Sequence, residues 1–420
     1  MFPDLKKLKS EVSRRTLMQG IAGMSLGVGT VAPNFLSAAS SSTGRKKVVR
    51  IFLNAGISHL DSFDPKPQSP ELMGDTKVIK TNTGEELSAY FPELAQRMDK
   101  ISLVRSMVSP EADHARAQYL NATSYQVLGT TKHPDFGAWM QRLSGTQNEA
   151  LPASVSIGGK GSGGYLGTDF DPFYISSPND PLKGLMMENP SSEESIELLK
   201  LMAAVRTKFH KENRIEHVES YRAFYNDSIK FMQSKDLDAF DLKKEDEATR
   251  KKFAIPHGER FLLARRLLEA DVQFISIGIG GWDDHFNLWE ETNFPTKAKN
   301  LDAALALFID DLYERGLFED TILAVTSDFG RSPKITEGGR NHHRRAFTSI
   351  IAGAGVKNGI IYGKSDDQGM KVAENPVAPS DFNATLAAAA GLDTEKEIFS
   401  PDNRPFTIAR AGKVVKDLLA

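Results

Sequence analysis

Three apolar runs in this chain each end in a loop that carries acidic or histidine side chains. The runs are residues 48–53, 272–279 and 321–326. Near-continuous apolar runs of this length are typical of strands that are buried on both faces of a parallel sheet. Parallel strands end at the same edge of a sheet, and open α/β proteins bind their ligands there. The pattern therefore predicts an α/β fold in which the polar loops converge on one site.

The loop after the third run holds Asp328, and then Arg331, Arg340 and His342. Carboxylate oxygens and neutral imidazole nitrogens bind divalent metal ions, whereas planar guanidinium groups fork onto sulfate or phosphate. The sequence predicts strand, loop and strand over residues 321–352, with a metal ion and an oxyanion bound at the loop. The alternative is that Asp328 caps a turn and that the other side chains are solvated.

The loop after the second run repeats the pattern with Asp283 and His285. A helix predicted over residues 301–315 joins the second and third strands, so their ends converge if these strands are neighbours in the sheet. Asp283, His285, Asp328 and His342 then form a mixed oxygen and nitrogen ligand set. Such a set suits zinc, manganese or a similar ion.

The loop after the first run is a second candidate ligand loop. It contains small residues together with Asn54, Ser58, Asp61 and Asp64. Asp64 is followed by proline, and this pair equally fits the start of a turn.

A helix is predicted to begin at Pro110, with Ser109 as its N-cap. His114 and Gln118 then share one helix face near the positive end of the helix dipole, which favours anions. A histidine near a helix start, taken alone, is more often structural than functional.

The amino-terminal segment reads as an export signal. A basic region containing Arg14 and Arg15 precedes a mildly apolar run, residues 21–31, and a small-residue stretch, residues 37–39. The arginine pair resembles a twin-arginine signal. We expect residues 1–39 to engage the twin-arginine export machinery and be removed, which leaves a periplasmic or secreted bacterial protein. The alternatives are an amphipathic helix or a membrane anchor, although the apolar run is far shorter than the roughly 20 residues that span a bilayer.

Composition excludes several classes of site and partner. The chain has no cysteine, which excludes disulfides, thiolate metal ligands and a cysteine nucleophile. A net charge of −3 without a basic stripe argues against nucleic acid as a partner. We expect residues 40–420 to form one domain with no stable membrane span. Helical spacing and many charged residues predict a helical insertion at about residues 190–250.

Five segments of the chain carry a family resemblance. The segments are NAGISHLDSFDPKP, LLARRLLEADVQFISIGIGGWDDH, TSDFGRSP, GGRNHHRRAF and IIAGAGVKNGIIYG. Together they resemble the bacterial family called domain of unknown function 1501. The likeness runs over nearly all of residues 40–420, and that family in turn resembles the alkaline phosphatase and sulfatase superfamily. The resemblance implies a three-layer α/β/α sandwich with a mainly parallel central sheet and a metal-assisted hydrolase site at the carboxyl ends of the strands.

The resemblance also implies residue roles. The implied metal ligands are Asp283, His285, Asp328, His342 and, from the first loop, Asp61 with Asn54, Ser58 and Asp64 as competitors. His114 falls where the superfamily has its nucleophile, so it would be a metal ligand, a nucleophile in its own right or the sign of a lost activity. Arg331 or Arg340 would neutralise the oxyanion. The implied catalytic candidates are therefore His114, Arg331, Arg340 and Ser58.

Three departures from the superfamily bear on function. Phe329 stands where a His or Asn ligand is expected, Asn54 stands where an Asp is expected, and the sulfatase nucleophile motif is absent. Fewer ligands favour one metal ion rather than two; zinc, manganese and calcium are not distinguished. The leading hypothesis is an exported metal-dependent hydrolase of sulfate or phosphate esters, on small molecules or glycans. The alternatives are a non-catalytic binding or assembly protein with a degenerate site and, more weakly, an isomerase or phosphate-transfer enzyme.

Overall fold

A computed structural model describes residues 46–159, 161–182, 193, 231 and 234–420. The predicted export signal and most of the predicted insertion lie outside these residues. The described end of the insertion is helical, with 3₁₀ turns at Lys235–Phe240 and Leu242–Lys244. No helix among the described residues combines the length and the apolar character needed to cross a membrane.

The described strands, numbered along the chain, are mostly short outside one central sheet. They are β1 Lys47–Leu53, β2 Val78–Lys80, β3 Glu86–Ser88, β4 Ile101–Met107, β5 Ser154–Ile157, β6 Phe173–Ile175, β7 Phe274–Ile279, β8 Thr321–Ser327, β9 Gly330–Thr336, β10 Gly339–His343, β11 Phe347–Gly353, β12 Ile361–Tyr362, β13 Lys364–Ser365, β14 Val372–Glu374, β15 Ile398–Phe399 and β16 Pro405–Phe406.

The described α-helices are numbered in the same way. They are α1 Pro70–Met73, α2 Pro92–Ala95, α3 His114–Thr123, α4 Phe136–Ser144, α5 Glu247–Lys252, α6 Gly258–Glu269, α7 Phe294–Glu314 and α8 Pro379–Ala389.

Eight strands form the central sheet in the order β12-β4-β11-β8-β1-β7-β5-β6. Every neighbouring pair is parallel except the two pairs made by β11, which runs antiparallel to β4 and β8. Leu53 at the end of β1 lies level with Ile279 on β7 and Ser327 on β8. The mainly parallel sheet is confirmed, and its register brings the three polar loops to one edge.

Helices cover both faces of the sheet. Successive side chains of β1 point to opposite faces, and the apolar side chains on each face pack against helices. Val49 packs in one apolar cluster with Leu305 of α7. Its neighbour Val48 packs in a second cluster with Trp139 of α4 and Leu386 of α8. The α/β/α three-layer sandwich expected from the sequence is therefore the fold of the described chain.

The segment between β8 and β11 differs from the predicted loop, because it folds into the antiparallel hairpin β9–β10. Glu337 and Gly338 connect the two strands with φ angles of 52° and 72°. Two-residue hairpin turns of type I′ require positive φ at both central positions. The hairpin gives Arg340 and His342 fixed positions in a ladder.

Two helix starts also differ from prediction. Helix α3 begins at His114 rather than at Pro110, because Asp113 is its N-cap and accepts the backbone N–H of Arg116 at 3.1 Å. Helix α7 begins at Phe294, before the predicted residue 301, and accommodates Pro295 in its first turn.

Candidate metal centre

Polar side chains from three segments meet at the carboxyl edge of the sheet. His114 comes from the first turn of α3, Asp283 and His285 from the loop after β7, and His342 from β10. The Nε2 atoms of His114, His285 and His342 lie 3.4, 3.0 and 3.3 Å from the same atom, Oδ1 of Asp283. The loops after β7 and β8 thus converge, although these strands are not neighbours as the sequence argument assumed, because β1 lies between them.

Each of the three imidazole rings directs its other nitrogen, Nδ1, at an oxygen atom. Carbonyl and carboxylate oxygens only accept hydrogen bonds, so in a neutral ring Nδ1 carries the proton and Nε2 presents a lone pair. The Nδ1 contacts are His114 with Asp328 Oδ2 (2.6 Å), His285 with Asn341 Oδ1 (3.0 Å) and His342 with the carbonyl of Ala112 (2.9 Å).

This arrangement of lone pairs fits a bound cation. Nε2 of a neutral His114 or His342 and Oδ1 of Asp283 are all hydrogen-bond acceptors, and acceptors this close repel one another unless a proton or metal ion lies between them. Nε2 of His114 is buried and has no hydrogen-bond partner among the described residues. One ligand atom from each of His114, Asp283 and His342 lies within 4.8 Å of the others. The mixed nitrogen and oxygen donors suit a zinc-like ion.

The charge states of two of these groups suit metal binding. Burial opposes ionisation of Asp283, but the hydrogen bond and charge of Arg331, helped by His342 and His285, outweigh it and lower the carboxyl pKa to about 2. Burial, together with Arg331 and His114, lowers the pKa of His342 despite the hydrogen bond to Ala112. The carboxylate is therefore ionised and the His342 ring neutral at physiological pH.

Asp328 lies directly behind His114 and is fully buried. Its Oδ2 accepts hydrogen bonds from His114 and, at 3.2 Å, from Nε2 of Gln118. Burial raises the pKa of Asp328, and the bonds from His114 and Gln118 oppose that effect. The His114 ring therefore separates the Asp328 carboxylate from the Asp283 carboxylate.

Arg331 has no N–H left for a ligand. It is fully buried, and its five N–H groups all point to acceptors of the protein. The acceptors are the carbonyls of Gly56 (2.8 Å), Ala55 and Arg340 (3.2 Å), Nε2 of His285 (3.3 Å) and Oδ1 of Asp283 (2.5 Å). The expected contact between Arg331 and an oxyanion therefore has no free donor in this structure, and Arg331 instead holds Asp283 in place.

Asp61 and Arg340 form a separate buried ion pair. Both side chains are fully buried, and Nε of Arg340 lies 2.6 Å from Oδ2 of Asp61. Asp61 also accepts from Ser58, from Thr76 at 2.5 Å and from the indole of Trp289 at 3.2 Å. In this structure Asp61 is therefore bonded to both Ser58 and Arg340.

The remaining N–H groups of Arg340 are also used. They donate to the carbonyls of Leu72, Ser332 and Pro333, the last two at an irregularity of the β9–β10 ladder. The first-loop competitor Asp64 is likewise engaged, with Lys66 at 2.9 Å and with Ser365 at 2.5 Å. In this structure the two first-loop carboxylates, Asp61 and Asp64, are thus paired with Arg340 and Lys66.

Two residues that the sequence left without a role complete the cluster. Gln118 shares a helix face with His114, as its spacing predicted, and it contacts Asp328. Asn341 lies on β10 and contacts Nδ1 of His285. The sequence predicted a loop there, and a loop does not define the direction of the Asn341 side chain.

Known proteins place the chain within one family and near several solved structures. A profile described as "Protein of unknown function (DUF1501)" matches residues 45–419. No protein of curated function is recognisably similar in sequence.

Among solved structures, the chain is similar to a lipoteichoic acid synthase, LtaP, from Listeria monocytogenes, at 10% identity and a TM-score of 0.43 over 89% of this chain and 76% of that one. It is also similar to an alkaline phosphatase superfamily protein from Vibrio parahaemolyticus, at 12% identity and a TM-score of 0.41 over 98% of this chain and 80% of that one. A third similar structure is the sulfatase PsFucS1 from Pseudoalteromonas, at 12% identity and a TM-score of 0.40 over 96% of this chain and 77% of that one. These likenesses are too distant to carry a substrate or a reaction over to this chain.

Proposed function

The chain belongs to the family described as protein of unknown function DUF1501, and on that premise we propose that it is a metal-dependent hydrolase of sulfate or phosphate esters. The observation that supports the metal centre is the convergence of the Nε2 atoms of His114 and His342 on Oδ1 of Asp283. His114, Asp283 and His342 would hold the ion. An ion bound there supplies a Lewis acid and lowers the pKa of bound water.

Hydrogen bonds within the protein pre-orient the proposed ligands of this centre. Arg331 fixes Asp283 and keeps its carboxyl ionised. The carbonyl of Ala112 and the carboxylate of Asp328 orient His342 and His114. Ligands held by such partners lose little freedom on binding, which strengthens metal affinity.

Arg344 is the cation that we propose contacts the anionic group of the ester. Arg331 and Arg340 have no free N–H, whereas Arg344 is exposed and Nη1 of its guanidinium donates to the carbonyl of Pro110. Pro110 is two residues before Ala112, whose carbonyl holds His342. Arg344 and His342 therefore contact the same short loop, and this shared contact is what supports the proposal.

We propose that the reaction takes place outside the cytoplasm. The support is the arginine pair, apolar run and small-residue stretch of residues 1–39, and the substrate would be an anionic ester on a small molecule or a glycan. Fusion of residues 1–45 to a folded reporter should direct it through the twin-arginine pathway, and Arg14→Lys with Arg15→Lys should abolish that export. Export that survives this double substitution would contradict the proposed route.

A binding protein is the second candidate, because one observation favours it. The Phe329 ring packs 5.0 Å from the His114 ring and 4.6 Å from the His342 ring, centroid to centroid. This apolar ring lies beside two of the three proposed ligands. A centre of this kind would bind an ion and an anionic ligand without turnover.

Turnover by metal-loaded protein distinguishes the two candidates. The purified chain, loaded with Zn²⁺ or Mn²⁺, should hydrolyse nitrophenyl sulfate or nitrophenyl phosphate, and His342→Ala should reduce the rate by at least about 100-fold. Bound metal without hydrolysis of any ester would favour the binding protein. Intramolecular transfer without net hydrolysis would favour a mutase, and absence of metal would contradict the proposal.

A further inference from the structure

We propose that Asp328 is a positioning residue that orients His114 onto the metal ion, and that the centre holds one ion rather than two. This inference rests on the proposed metal-dependent function. It also chooses the ligand role among those that the family resemblance leaves open for His114, and it removes Asp328 from the implied ligands.

The first support is the geometry of the imidazole ring. The Asp328 carboxylate lies 2.6 Å from Nδ1 of His114, whereas Nε2 faces Asp283. An ion at about 2.1 Å from Nε2 would lie on the far side of the ring from Asp328. Metal–oxygen bonds are about 2.0–2.2 Å long, so one ion cannot bind both Nε2 of His114 and Asp328.

The second support is the scarcity of ligands for another ion beside Asp328. Among the described residues, the His/Cys/Asp/Glu group close enough to hold an ion consists of His114, Asp283 and His342, without Asp328. Oδ1 of Asp328 is buried and has no hydrogen-bond partner among these residues. The next residue along the chain is the apolar Phe329. A single carboxylate does not supply the three or four protein ligands of a typical zinc site.

The third support is that one face of α3 is built around Asp328. His114, Gln118 and Asn121 lie at positions i, i+4 and i+7, which share a helix face. His114 and Gln118 contact the Asp328 carboxylate, and Nδ2 of Asn121 approaches its backbone carbonyl at 3.4 Å. The helix therefore docks on Asp328, and this docking sets the direction of the His114 ring.

This assignment has a consequence for ester cleavage. Nε2 of His114 is occupied by the ion and Nδ1 by Asp328, so His114 has no lone pair for covalent attack. Hydrolysis would then be direct: a water oxygen bonds to phosphorus or sulfur, the bond from that atom to the ester oxygen breaks, and one proton of the water leaves with the alcohol. The protein should not accumulate a phosphohistidine or sulfohistidine.

The test compares Asp328→Ala, Asp328→Asn and a matched control, Asp302→Asn, which changes a buried aspartate on α7. Zn²⁺ affinity is measured by competition with a chromogenic chelator, stoichiometry by elemental analysis, and coordination by the visible spectrum of the Co²⁺-loaded protein. Asp328→Ala should weaken Zn²⁺ binding by about 10–100-fold while keeping one ion per chain and the Co²⁺ band positions. Asp328→Asn should restore most of the affinity, because its amide oxygen still accepts from Nδ1 of His114. The control should bind Zn²⁺ like the parent.

Three outcomes would overturn the assignment while leaving the metal-dependent function intact. They are two ions per parent chain falling to one in Asp328→Ala, a shift of the Co²⁺ bands in Asp328→Asn, and equal loss of affinity in both Asp328 variants. A parent chain that binds no Zn²⁺ would instead overturn the proposed function itself. If Asp328→Ala does not fold, Asp328→Asn and its Co²⁺ spectrum still decide between ligand and positioning residue.

Discussion

At the scale of single residues, the centre is organised by which atom of each polar side chain is already engaged. Arg331 and Arg340 use every N–H inside the protein, whereas the Nε2 atoms of His114 and His342 face Asp283. The two kinds of basic side chain, guanidinium and imidazole, therefore differ in what they can bind. The buried guanidinium groups hold carboxylates, and the imidazole nitrogens remain for an ion.

Replacing Arg340 should lower the free energy of unfolding without removing any proposed metal ligand. Arg340→Ala leaves the buried Asp61 carboxyl without its partner, and removal of one partner of a buried pair costs about 3–5 kcal/mol. Urea denaturation should show this loss in the free energy of unfolding. A loss below about 1 kcal/mol would contradict a stabilising role for this buried pair.

Replacing Arg344 should have the opposite profile. Arg344 is exposed, so Arg344→Ala should change the free energy of unfolding by no more than about 0.5 kcal/mol. The variant loses charge-assisted hydrogen bonds worth about 1.5–3 kcal/mol. Its affinity for inorganic phosphate, measured by calorimetry on the Zn²⁺-loaded protein, should therefore fall roughly 10–100-fold. Arg345→Ala, an exposed neighbour, is the matched control. Unchanged phosphate affinity in Arg344→Ala would remove this residue from the site.

The sequence shows the chemical types of these residues but not the engagement of their atoms. Asp, His and Arg at strand ends predicted a metal and anion site, and His114, Asp283 and His342 do come together. Asp61 was expected at the metal, but its partner Arg340 lies 279 residues away in the chain. Local patterns carry no information about a pairing at that separation.

At the scale of elements, the hairpin β9–β10 fixes the His342 side of the centre. It packs so closely on the loop after β7 that a Cβ atom at Gly339 would lie 2.3 Å from the backbone of His285. The sequence predicted the flanking strands β8 and β11 but not this hairpin. Its turn residues Glu337 and Gly338 were the available signal.

Adding a methyl group at Gly339 should displace the hairpin from the histidine loop. Gly339→Ala forces backbone to shift, at a typical cost of about 1–3 kcal/mol for overpacking, and Zn²⁺ affinity should fall because His285 and His342 separate. Gly129→Ala is the matched control, since nothing lies within 4 Å of its Cβ position. Equal Zn²⁺ affinity in both variants would show that the hairpin does not position the centre.

Helix α2 is capped from a distance by Asp302 of α7, and this contact should make stability depend on pH. The two carboxylate oxygens accept the N–H groups of Glu93 and Leu94, each at 2.8 Å. Burial nevertheless raises the pKa of Asp302 to about 6, although these backbone bonds oppose the shift. The folded protein therefore binds this proton more tightly than the unfolded chain does, and its stability falls as pH rises from about 4 to about 6.

Asp302→Asn should remove that dependence. The parent should lose up to about 3 kcal/mol of unfolding free energy between pH 4 and pH 7 relative to Asp302→Asn, as a shift of about two pKa units implies. Urea denaturation of both proteins across this range measures the difference. A parent that instead gains stability over the variant as pH rises would show that the ionised cap dominates.

At the scale of the whole molecule, the parallel sheet creates the site by aligning strand ends. Leu53, Ile279 and Ser327 lie level on three adjacent strands, so loops from distant parts of the chain meet at one edge. Apolar runs predicted these strands and the α/β class. The antiparallel insertion of β11 between β4 and β8 depends on pairing between distant segments, which periodicity does not encode.

The position of an ion in a crystal of the Zn²⁺-loaded protein tests the metal centre most directly. Anomalous difference maps collected on both sides of the zinc absorption edge should show one peak per chain, about 2.0–2.2 Å from Nε2 of His114, Nε2 of His342 and a carboxylate oxygen of Asp283. Asp328 should remain on Nδ1 of His114 without touching the ion. No peak at these three side chains, or a peak bonded to Asp328, would contradict the centre described by this structure.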